Sequence, residues 1–557
     1  MKRFIYFFTI VGFVAYFTSC TGNFAEINTN PQIMTDPKVE YLFTYAEDAL
    51  PDGGSAWLYE TLEQYLRWSQ LVTTESYEAG SMDMHSRYNN LYRAVLPNLF
   101  EVRRLIEAMP DKDAYMKMWA ASYVIQVYAT LRVTDVFGSI PYTEAIHART
   151  ENKYDPAYDS QQVLFERFYE ELTEANRILQ DQSLPQQAFA SSADIYYNGD
   201  WTKWSRLANA LLLRLASRYE GQDKNKTITI FKQVMQDPVG VMTSNNDQFV
   251  YIRPETNVFG NDINYRSARY ASRNVVKFMK ATGDPRISMY YEPNGLTEGF
   301  RDSLAKYGVT PPDFIDIDDP LVQYQGGPVN WTDPDSKWIK GTLDVSNATK
   351  YALVSSINRK FFSTKMNGAT DVFTDVLVSY AEVCFYIAEF IEKGYGSGAD
   401  TKGSAEDWYK KGVEASIRSM YDISQRAASS SAISDENLAQ IIAAYQQANG
   451  VKLNGSDDLE KILIQEYINF FRSGNEAYAF ARRTGYPKQT STILPGEVLS
   501  ESIPRRLWTQ EPMELNRAHW EESIREQGFS LRDYTMATLS AERLWWDKNN
   551  PAYGKGE

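Results

Sequence analysis

The side chains with the clearest chemical use are aromatic rings that fall outside the regular helical patterns and lie close to asparagine or arginine. They occur in two regions. The first comprises Trp68, Tyr77, Arg87, Tyr88 and Asn89, and the second comprises Tyr265, Tyr324, Trp331 and Trp338. A flat apolar ring with a polar edge matches the C–H face and hydroxyl rim of a sugar. We therefore predict that both regions contribute to one shallow binding platform. The alternative for each residue is local packing.

The residue types needed for most catalytic and metal sites are sparse. The three histidines, His85, His147 and His519, are isolated, and no His/Cys cluster has metal-ligand spacing. The sequence contains no glycine-rich phosphate loop and no Gly-x-Ser-x-Gly elbow. The acidic run at residues 316–320 lacks the spacing of a calcium loop, which favours a solvated turn. The sequence therefore predicts neither a metal nor a cofactor, and it predicts a protein that is not an enzyme.

One enzymatic alternative stays open. Glycoside hydrolysis requires only two well-placed carboxylates. The chain has 72 acidic residues, so a helical glycoside hydrolase is compatible with its composition.

The first twenty residues predict export and lipidation. Met1-Lys2-Arg3 precedes an apolar run at residues 4–17, and Thr18-Ser19-Cys20 follows. A basic start, a short apolar segment and small residues are typical of a secretory signal peptide. Cys20 stands where a bacterial lipobox places its acylated cysteine, so we predict a signal peptide at 1–19 and a lipid anchor and tether at 20–40. An ordinary signal peptide that happens to contain a cysteine is the alternative.

The charge of the chain restricts its partners. Its formal net charge is −15, with 72 acidic and 57 basic residues. Nucleic-acid binding requires basic patches, and docking on anionic lipid requires positive charge. Both are disfavoured, and a neutral ligand fits the chain better.

The elements that must position the rings are helical. Apolar residues recur at helical spacing from about residue 41 onward and again from residue 376. Residues 242–369 lose this rhythm and are rich in Gly, Pro, Asn and aromatic residues. The pattern predicts an all-α body at 41–557, built from tetratricopeptide-like helix hairpins, with an irregular aromatic-rich insertion at 242–369.

Several blocks occur in a characteristic order along nearly the whole mature chain. They lie at residues 24–31, 135–145, 197–204, 380–383, 503–507 and 545–547, and include Gly138-Ser139-Ile140-Pro141-Tyr142 and Tyr197-Asn198-Gly199-Asp200-Trp201. Together they resemble the SusD/RagB family of nutrient-binding outer-membrane lipoproteins, in particular its SusD-like branch. The resemblance implies a tetratricopeptide-like scaffold in which Trp201, Trp204 and Arg214 stabilise the fold or the contact with a partner.

The resemblance also implies a function. Members of this family capture an oligosaccharide, or in some cases a peptide, and deliver it to a SusC-like TonB-dependent transporter. This implies an outer-membrane, lipid-anchored, cell-surface location for the chain. A peptide-binding member of the same family and a surface adhesin are the non-enzymatic alternatives. Ligand residues of the family lie in variable loops, so the residues predicted above rest on their own chemistry.

Overall fold

The structure, a computed structural model, describes residues 37–53, 56–74, 84–189, 191–253, 269–330, 342–346, 349–358, 373–426 and 433–556. Within these ranges the α-helices of 9 residues or more are α1 Val39–Asp48, α2 Leu96–Ala108, α3 Met116–Phe137, α4 Gln161–Gln180, α5 Trp201–Tyr219, α6 Lys224–Gln236, α7 Arg273–Thr282, α8 Gly299–Tyr307, α9 Tyr380–Glu392, α10 Ala405–Arg426, α11 Asp435–Tyr445, α12 Asp458–Asn469, α13 Gly474–Thr484 and α14 Arg517–Glu526.

Two π-helical segments, several short α-helices and 3-10 turns connect these elements. Ala56–Tyr65 and Leu91–Val95 are π-helical, and Leu66–Trp68, Ser86–Asn90, Ala148–Glu151, Ile287–Tyr290 and Met536–Ala541 are short α-helices. Single 3-10 turns lie at Lys112–Tyr115, Ser191–Ala193, Asn245–Asp247, Gly398–Thr401, Phe470–Arg472, Glu514–Asn516 and Trp545–Asp547.

Pairs of neighbouring helices pack together and form the scaffold. Helix α3 packs against α4, α4 against α5, and α5 against α6, while α9 packs against both α10 and α12. This is the helix-hairpin arrangement that the periodicity predicts, and the all-α prediction is confirmed. None of the helices in the described ranges combines the length and apolarity that a bilayer span requires.

The helix boundaries follow from local chemistry. The Asp200 side chain accepts hydrogen bonds from the backbone N–H groups of Thr202 and Lys203 and so caps α5. The Ser379 hydroxyl accepts from the N–H of Glu382 at the start of α9. Helix α3 ends at Gly138, whose φ of 76° favours glycine.

The strands form three small antiparallel sheets among the described residues. They are β1 Val72–Thr74, β2 Phe249–Arg253, β3 Arg269–Ala271, β4 Thr342–Ser346, β5 Thr349–Ala352 and β6 Phe373–Val378. Strand β1 pairs with β3, β2 with β6, and β4 with β5. The first two sheets join residues from distant parts of the chain, and they fix the insertion on the helical body.

The insertion at residues 242–369 is more regular than its sequence suggests. It contains α7 and α8 as well as four strands. It also has a small core of its own, in which Leu296 and Phe300 pack with Leu343 and Leu353. The apolar periodicity of this region does not indicate helices, because α7 and α8 are short and are separated by turns.

Buried arginines tie the helices of the main core together. Arg214 on α5 donates to Glu382 on α9 (Nε–Oε1 2.7 Å), and Arg218 donates to Glu476 on α13 (Nη2–Oε2 2.6 Å). Trp204 is completely buried. Trp204 and Arg214 thus occupy the scaffold positions that the family resemblance implies.

The end of the chain differs from its predicted helix. The sequence predicts a helix from Leu531 to Asp547, whereas the structure has Met536–Ala541 and a 3-10 turn at Trp545–Asp547. The backbone becomes extended at Glu542 because Leu544 and Trp546 are buried in the main core. Burial of these two side chains overrides the local helical pattern.

Candidate functional site

Three segments of the chain meet at one point, which we call the strand junction: β1, β3 and residues 326–330. Strand β1 pairs with β3 in antiparallel register. The Gly327 N–H donates to the Ala271 carbonyl (2.9 Å), and the Thr73 hydroxyl donates to the Pro328 carbonyl (2.8 Å). Residues 326–330 therefore lie against both strands.

The close approach at the strand junction depends on a glycine. A Cβ atom at Gly326 would lie 2.4 Å from Cα and 2.5 Å from N of Arg273. These Arg273 atoms belong to the backbone, which cannot move away by changing rotamer as a side chain can. Only glycine fits at this position.

We therefore expect Gly326→Ala to lower the free energy of unfolding by about 1–3 kcal/mol, the usual cost of overpacking. Urea denaturation of the purified variant measures this. Gly299→Ala is the matched control, because a Cβ there meets nothing within 4 Å. Equal stability of the two variants would contradict the proposed role of Gly326.

A single carboxylate links the segments of the strand junction. Both carboxylate oxygens of Glu497 accept from the Arg273 guanidinium (3.0 and 3.1 Å), and one of them also accepts from the Val329 N–H (3.2 Å). The Gln70 side chain adds two bonds to the backbone of Glu497, at 2.8 and 2.9 Å. Gln70 itself has a left-handed φ of 62°.

Four of the predicted ligand residues lie outside the described residues: Tyr77, Tyr265, Trp331 and Trp338. One described end of each segment that carries them lies at the strand junction. Thr74, where β1 ends, pairs directly with Arg269, where β3 begins. Residue 330, the last residue of the junction segment 326–330, directly precedes Trp331. Paired residues in an antiparallel ladder lie about 5 Å apart.

A cavity of about 470 Å³, here called the arginine cavity, lies between residues 48–53, the short helix Ser86–Asn90 and α3. It is close to the other ends of the same segments. Ser86 comes soon after residues 75–83, and Tyr251, which precedes residues 254–268, donates to the Asp48 carboxylate on the cavity wall. The described residues that flank Tyr77 and Tyr265 in sequence thus lie near the arginine cavity on one side and at the strand junction on the other.

Arg87 forms the floor of the arginine cavity and is 8% exposed. Its guanidinium pairs with both oxygens of Asp52 and donates to Glu60 (Nη1–Oε2 2.7 Å) and to the Thr61 hydroxyl (2.6 Å). Arg132 Nη2 also donates to Asp52 Oδ1 (2.6 Å), the oxygen that accepts from Arg87 Nε. Protein groups therefore use most of the Arg87 donors, and this side chain positions the cavity wall.

The two carboxylates beside Arg87 respond differently to burial. Burial opposes ionisation of Asp52, but the two flanking arginines outweigh it and hold the pKa of Asp52 well below its usual range. Burial raises the pKa of Glu60, and Arg87 alone does not offset that rise.

The rim of the arginine cavity is accessible to solvent. Asn89 and Arg93 are exposed, whereas Asn90 donates to the Ala49 carbonyl (2.7 Å). A solvent-exposed amide and a solvent-exposed guanidinium suit hydroxyl groups of a ligand. Asn89 is thus the described member of the predicted set that faces solvent.

The remaining predicted residues lie in packed surroundings. Trp68 is 1% exposed, and its ring contacts Tyr65 and Tyr478. Tyr88 is partly buried between Tyr92 and a phenylalanine of α3. Tyr324 is 8% exposed. Trp68 and Tyr324 are buried and offer no ring face to a ligand, whereas Tyr88 packs against two rings and stays partly exposed.

Several residues of the site carried no recognisable sequence signal. Asp52, Glu60 and Arg132 approach Arg87 only through the fold, and Glu497 reaches the strand junction from 224 residues beyond Arg273. The turn-forming sequence at residues 51–53 predicts a loop, but it does not indicate that Asp52 pairs with two arginines. Among the described residues, no three His, Cys, Asp or Glu side chains are grouped as metal ligands would be.

Comparison with known proteins identifies the family of this chain and solved structures with a similar fold. A SusD-like family, described as "Starch-binding associating with outer membrane", matches residues 31–508. No curated protein that was compared matches the sequence.

Solved structures share the fold at low sequence identity. A chitin-binding protein has 22% identity and a TM-score of 0.67 over 92% of this chain and 100% of its own. A putative outer-membrane protein, probably involved in nutrient binding, from Bacteroides vulgatus ATCC 8482 has 22% identity and a TM-score of 0.66 over 92% and 100%. A chitin-binding SusD homolog from Flavobacterium johnsoniae has 22% identity and a TM-score of 0.64 over 92% and 99%.

Proposed function

This chain belongs to the SusD-like family, and from that premise we propose that it captures a glycan at the outer membrane and delivers it to a SusC-like TonB-dependent transporter. The observation that carries the proposal is the family match over residues 31–508. We propose that the ligand binds near the strand junction and the arginine cavity.

The proposed binding face lies between the strand junction and the arginine cavity. Tyr77, Tyr265, Trp331 and Trp338 supply the rings on which sugars stack, and Asn89 at the cavity rim supplies hydrogen bonds to hydroxyl groups. Supporting this arrangement, the segments that carry Tyr77, Tyr265 and Trp331 all depart from the strand junction. Rings on segments with a common origin can act on one ligand.

The ligand class that fits best is a neutral oligosaccharide. The family description refers to starch, and two of the similar structures are of chitin-binding proteins. Starch and chitin differ in linkage and in the acetamido group, but both are neutral chains with apolar ring faces. A chain with a net charge of −15 has no electrostatic conflict with such a ligand. A peptide is the second candidate ligand.

We propose binding without catalysis. Incubation with maltooligosaccharides, chitooligosaccharides and peptides, followed by mass spectrometry of the ligand, tests this. Recovery of the intact ligand after saturable binding supports capture. Cleaved oligosaccharide would make the glycoside hydrolase alternative correct.

The proposed anchor is a diacylated Cys20. Cys20→Ser is expected to abolish incorporation of labelled palmitate in the native host and to release the protein from the membrane fraction. A single acyl chain anchors weakly, so loss of a multiply acylated cysteine removes essentially all binding to the membrane. Cys384→Ser is the matched control, because this thiol is buried in α9 and should leave labelling unchanged. Persistent labelling of Cys20→Ser would contradict the anchor.

Delivery to a transporter is tested separately from binding. Mild detergent extraction of the tagged chain is expected to co-purify a TonB-dependent β-barrel protein, and deletion of the chain should slow uptake of a labelled oligosaccharide. Extraction of the chain alone, with unchanged uptake and binding to host surface proteins, would favour the adhesin alternative.

A further inference from the structure

A second cavity of about 470 Å³ lies on the helical scaffold, bordered by α2, α3, α4 and residues 142–147. We call it the scaffold groove. None of its lining residues lines the arginine cavity. Its volume falls within the range of small-molecule sites, and the proposed function of the binding face does not involve it.

The wall of the scaffold groove is aromatic. Trp119 and Tyr123 on α3 are partly exposed, and their ring centroids are 4.8 Å apart at an interplanar angle of 62°. The Trp119 indole N–H donates to the Glu107 carboxylate (2.9 Å), which fixes the orientation of the ring. Across the groove, Phe100 contacts the His147 ring at 5.0 Å. Trp119 and Tyr123 both line the cavity and keep part of their surface open to it.

The floor of the scaffold groove is a continuous chain of hydrogen bonds. Arg103 donates to the Ser122 hydroxyl (3.1 Å) and to the Gln126 side-chain carbonyl (2.6 Å). The Gln126 amide donates to the Tyr142 hydroxyl (2.7 Å), which in turn donates to Glu171. The floor therefore presents donors and acceptors whose positions are fixed by one another.

The charges around the scaffold groove nearly cancel. At the rim, Arg104 pairs with Glu101 (2.7 Å), and Arg167 pairs with Glu170 (3.3 Å). On the floor, burial raises the pKa of Glu171 to about 7, so this group is partly protonated at neutral pH. The paired charges would not attract a strongly charged ligand, and they would not oppose binding of a neutral one.

We propose that the scaffold groove is a second saccharide-binding site, which takes a mono- or disaccharide unit of a neutral glycan. Its aromatic wall would stack on the apolar face of a sugar ring, and the polar floor and Glu107 would bind hydroxyl groups. The ligand class rests on the proposed function, but the site itself rests on the geometry of α2, α3 and α4.

A second site would change how the strength of binding depends on the length of the glycan. Once the binding face holds one part of a glycan, binding of another part in the scaffold groove becomes intramolecular. Long chains would then be retained more strongly than short ones, without stronger contacts at either site.

Calorimetry with maltose, chitobiose and longer oligomers of each tests the proposal on the mature protein. We expect the wild-type chain to bind two disaccharides. Trp119→Ala and Trp331→Ala should each bind one, and the combined variant Trp119→Ala/Trp331→Ala should bind none. Glu107→Ala is a second groove variant. It replaces an exposed carboxylate and so leaves folding intact, and we expect it to weaken groove binding about tenfold. Tyr154→Ala, which removes a ring that is 61% exposed outside the groove, is the control.

The outcomes separate the two proposals. One bound disaccharide per wild-type chain, with neither Trp119→Ala nor Glu107→Ala altering it, would overturn the second site and leave the proposed function standing. Binding that is lost in Trp119→Ala but unchanged in Trp331→Ala would support the scaffold groove and contradict the proposed binding face. Absence of binding to every saccharide and peptide tested would overturn both.

Discussion

Arg87→Ala is expected to lower the free energy of unfolding by about 3–5 kcal/mol, the usual cost of removing one partner from a buried ion pair. The substitution leaves Asp52 and Glu60 in place, with only Arg132 near Asp52 and no cation beside Glu60 in the described surroundings. Burial would then force Glu60 toward its protonated form. Chemical denaturation monitored by circular dichroism measures the loss.

Arg93→Ala is the matched control for this prediction. Arg93 lies at the rim of the same cavity but is exposed, so its loss should change stability by no more than about 0.5 kcal/mol. If Arg87→Ala were as stable as Arg93→Ala and bound ligand less well, Arg87 would be a ligand residue, as its sequence context predicts, and its positioning role would be wrong.

Trp331→Ala and Trp338→Ala are each expected to weaken glycan binding at the proposed face by about tenfold to a hundredfold. Full burial of a large apolar side chain is worth about 1.5–3 kcal/mol, and each 1.4 kcal/mol changes affinity about tenfold. Calorimetry or affinity electrophoresis with the preferred oligosaccharide measures the change.

Tyr154→Ala serves as the control for the two tryptophan variants, since its exposed ring belongs to neither proposed site. Trp331→Phe should retain part of the affinity, because it keeps a stacking face. Wild-type affinity in the double variant Trp331→Ala/Trp338→Ala would rule out the insertion as a contributor to the binding face.

The helical scaffold was predictable because its signals are local. The leucine-rich pattern of α5 and its Asp200 cap lie within one stretch of sequence, and the same holds for α9 with its Ser379 cap. Capping residues act over two or three positions, and amphipathic periodicity acts over a few turns. Both are therefore visible before any tertiary contact is known.

The strand junction was not predictable, because it depends on pairing between distant segments. Thr73 bonds to the Pro328 carbonyl from 255 residues away. Its strand is only three residues long and has no alternating pattern of its own. The requirement for glycine at residue 326 likewise arises from a backbone approach that appears only in the folded chain.

The sequence context of Arg87 predicts a ligand-binding role. In the folded chain its guanidinium binds carboxylates of the protein instead. An arginine next to Tyr88 and Asn89 has the composition of a sugar-binding loop. Its carboxylate partner Asp52 lies 35 residues earlier, in a turn that gives no sign of it. Trp119 and Tyr123 illustrate the reverse case. Their helical spacing suggests a core position, yet the structure leaves both rings partly open to a cavity.

The most direct test of glycan capture is isothermal titration of the mature protein, without its first 19 residues, with maltooligosaccharides, chitooligosaccharides and peptides, followed by mass analysis of the recovered ligand. We predict saturable binding of a neutral oligosaccharide that is recovered intact and binds at least tenfold more weakly to the double variant Trp331→Ala/Trp338→Ala. Saturable binding of a peptide alone, or recovery of a cleaved oligosaccharide, would contradict the proposed function.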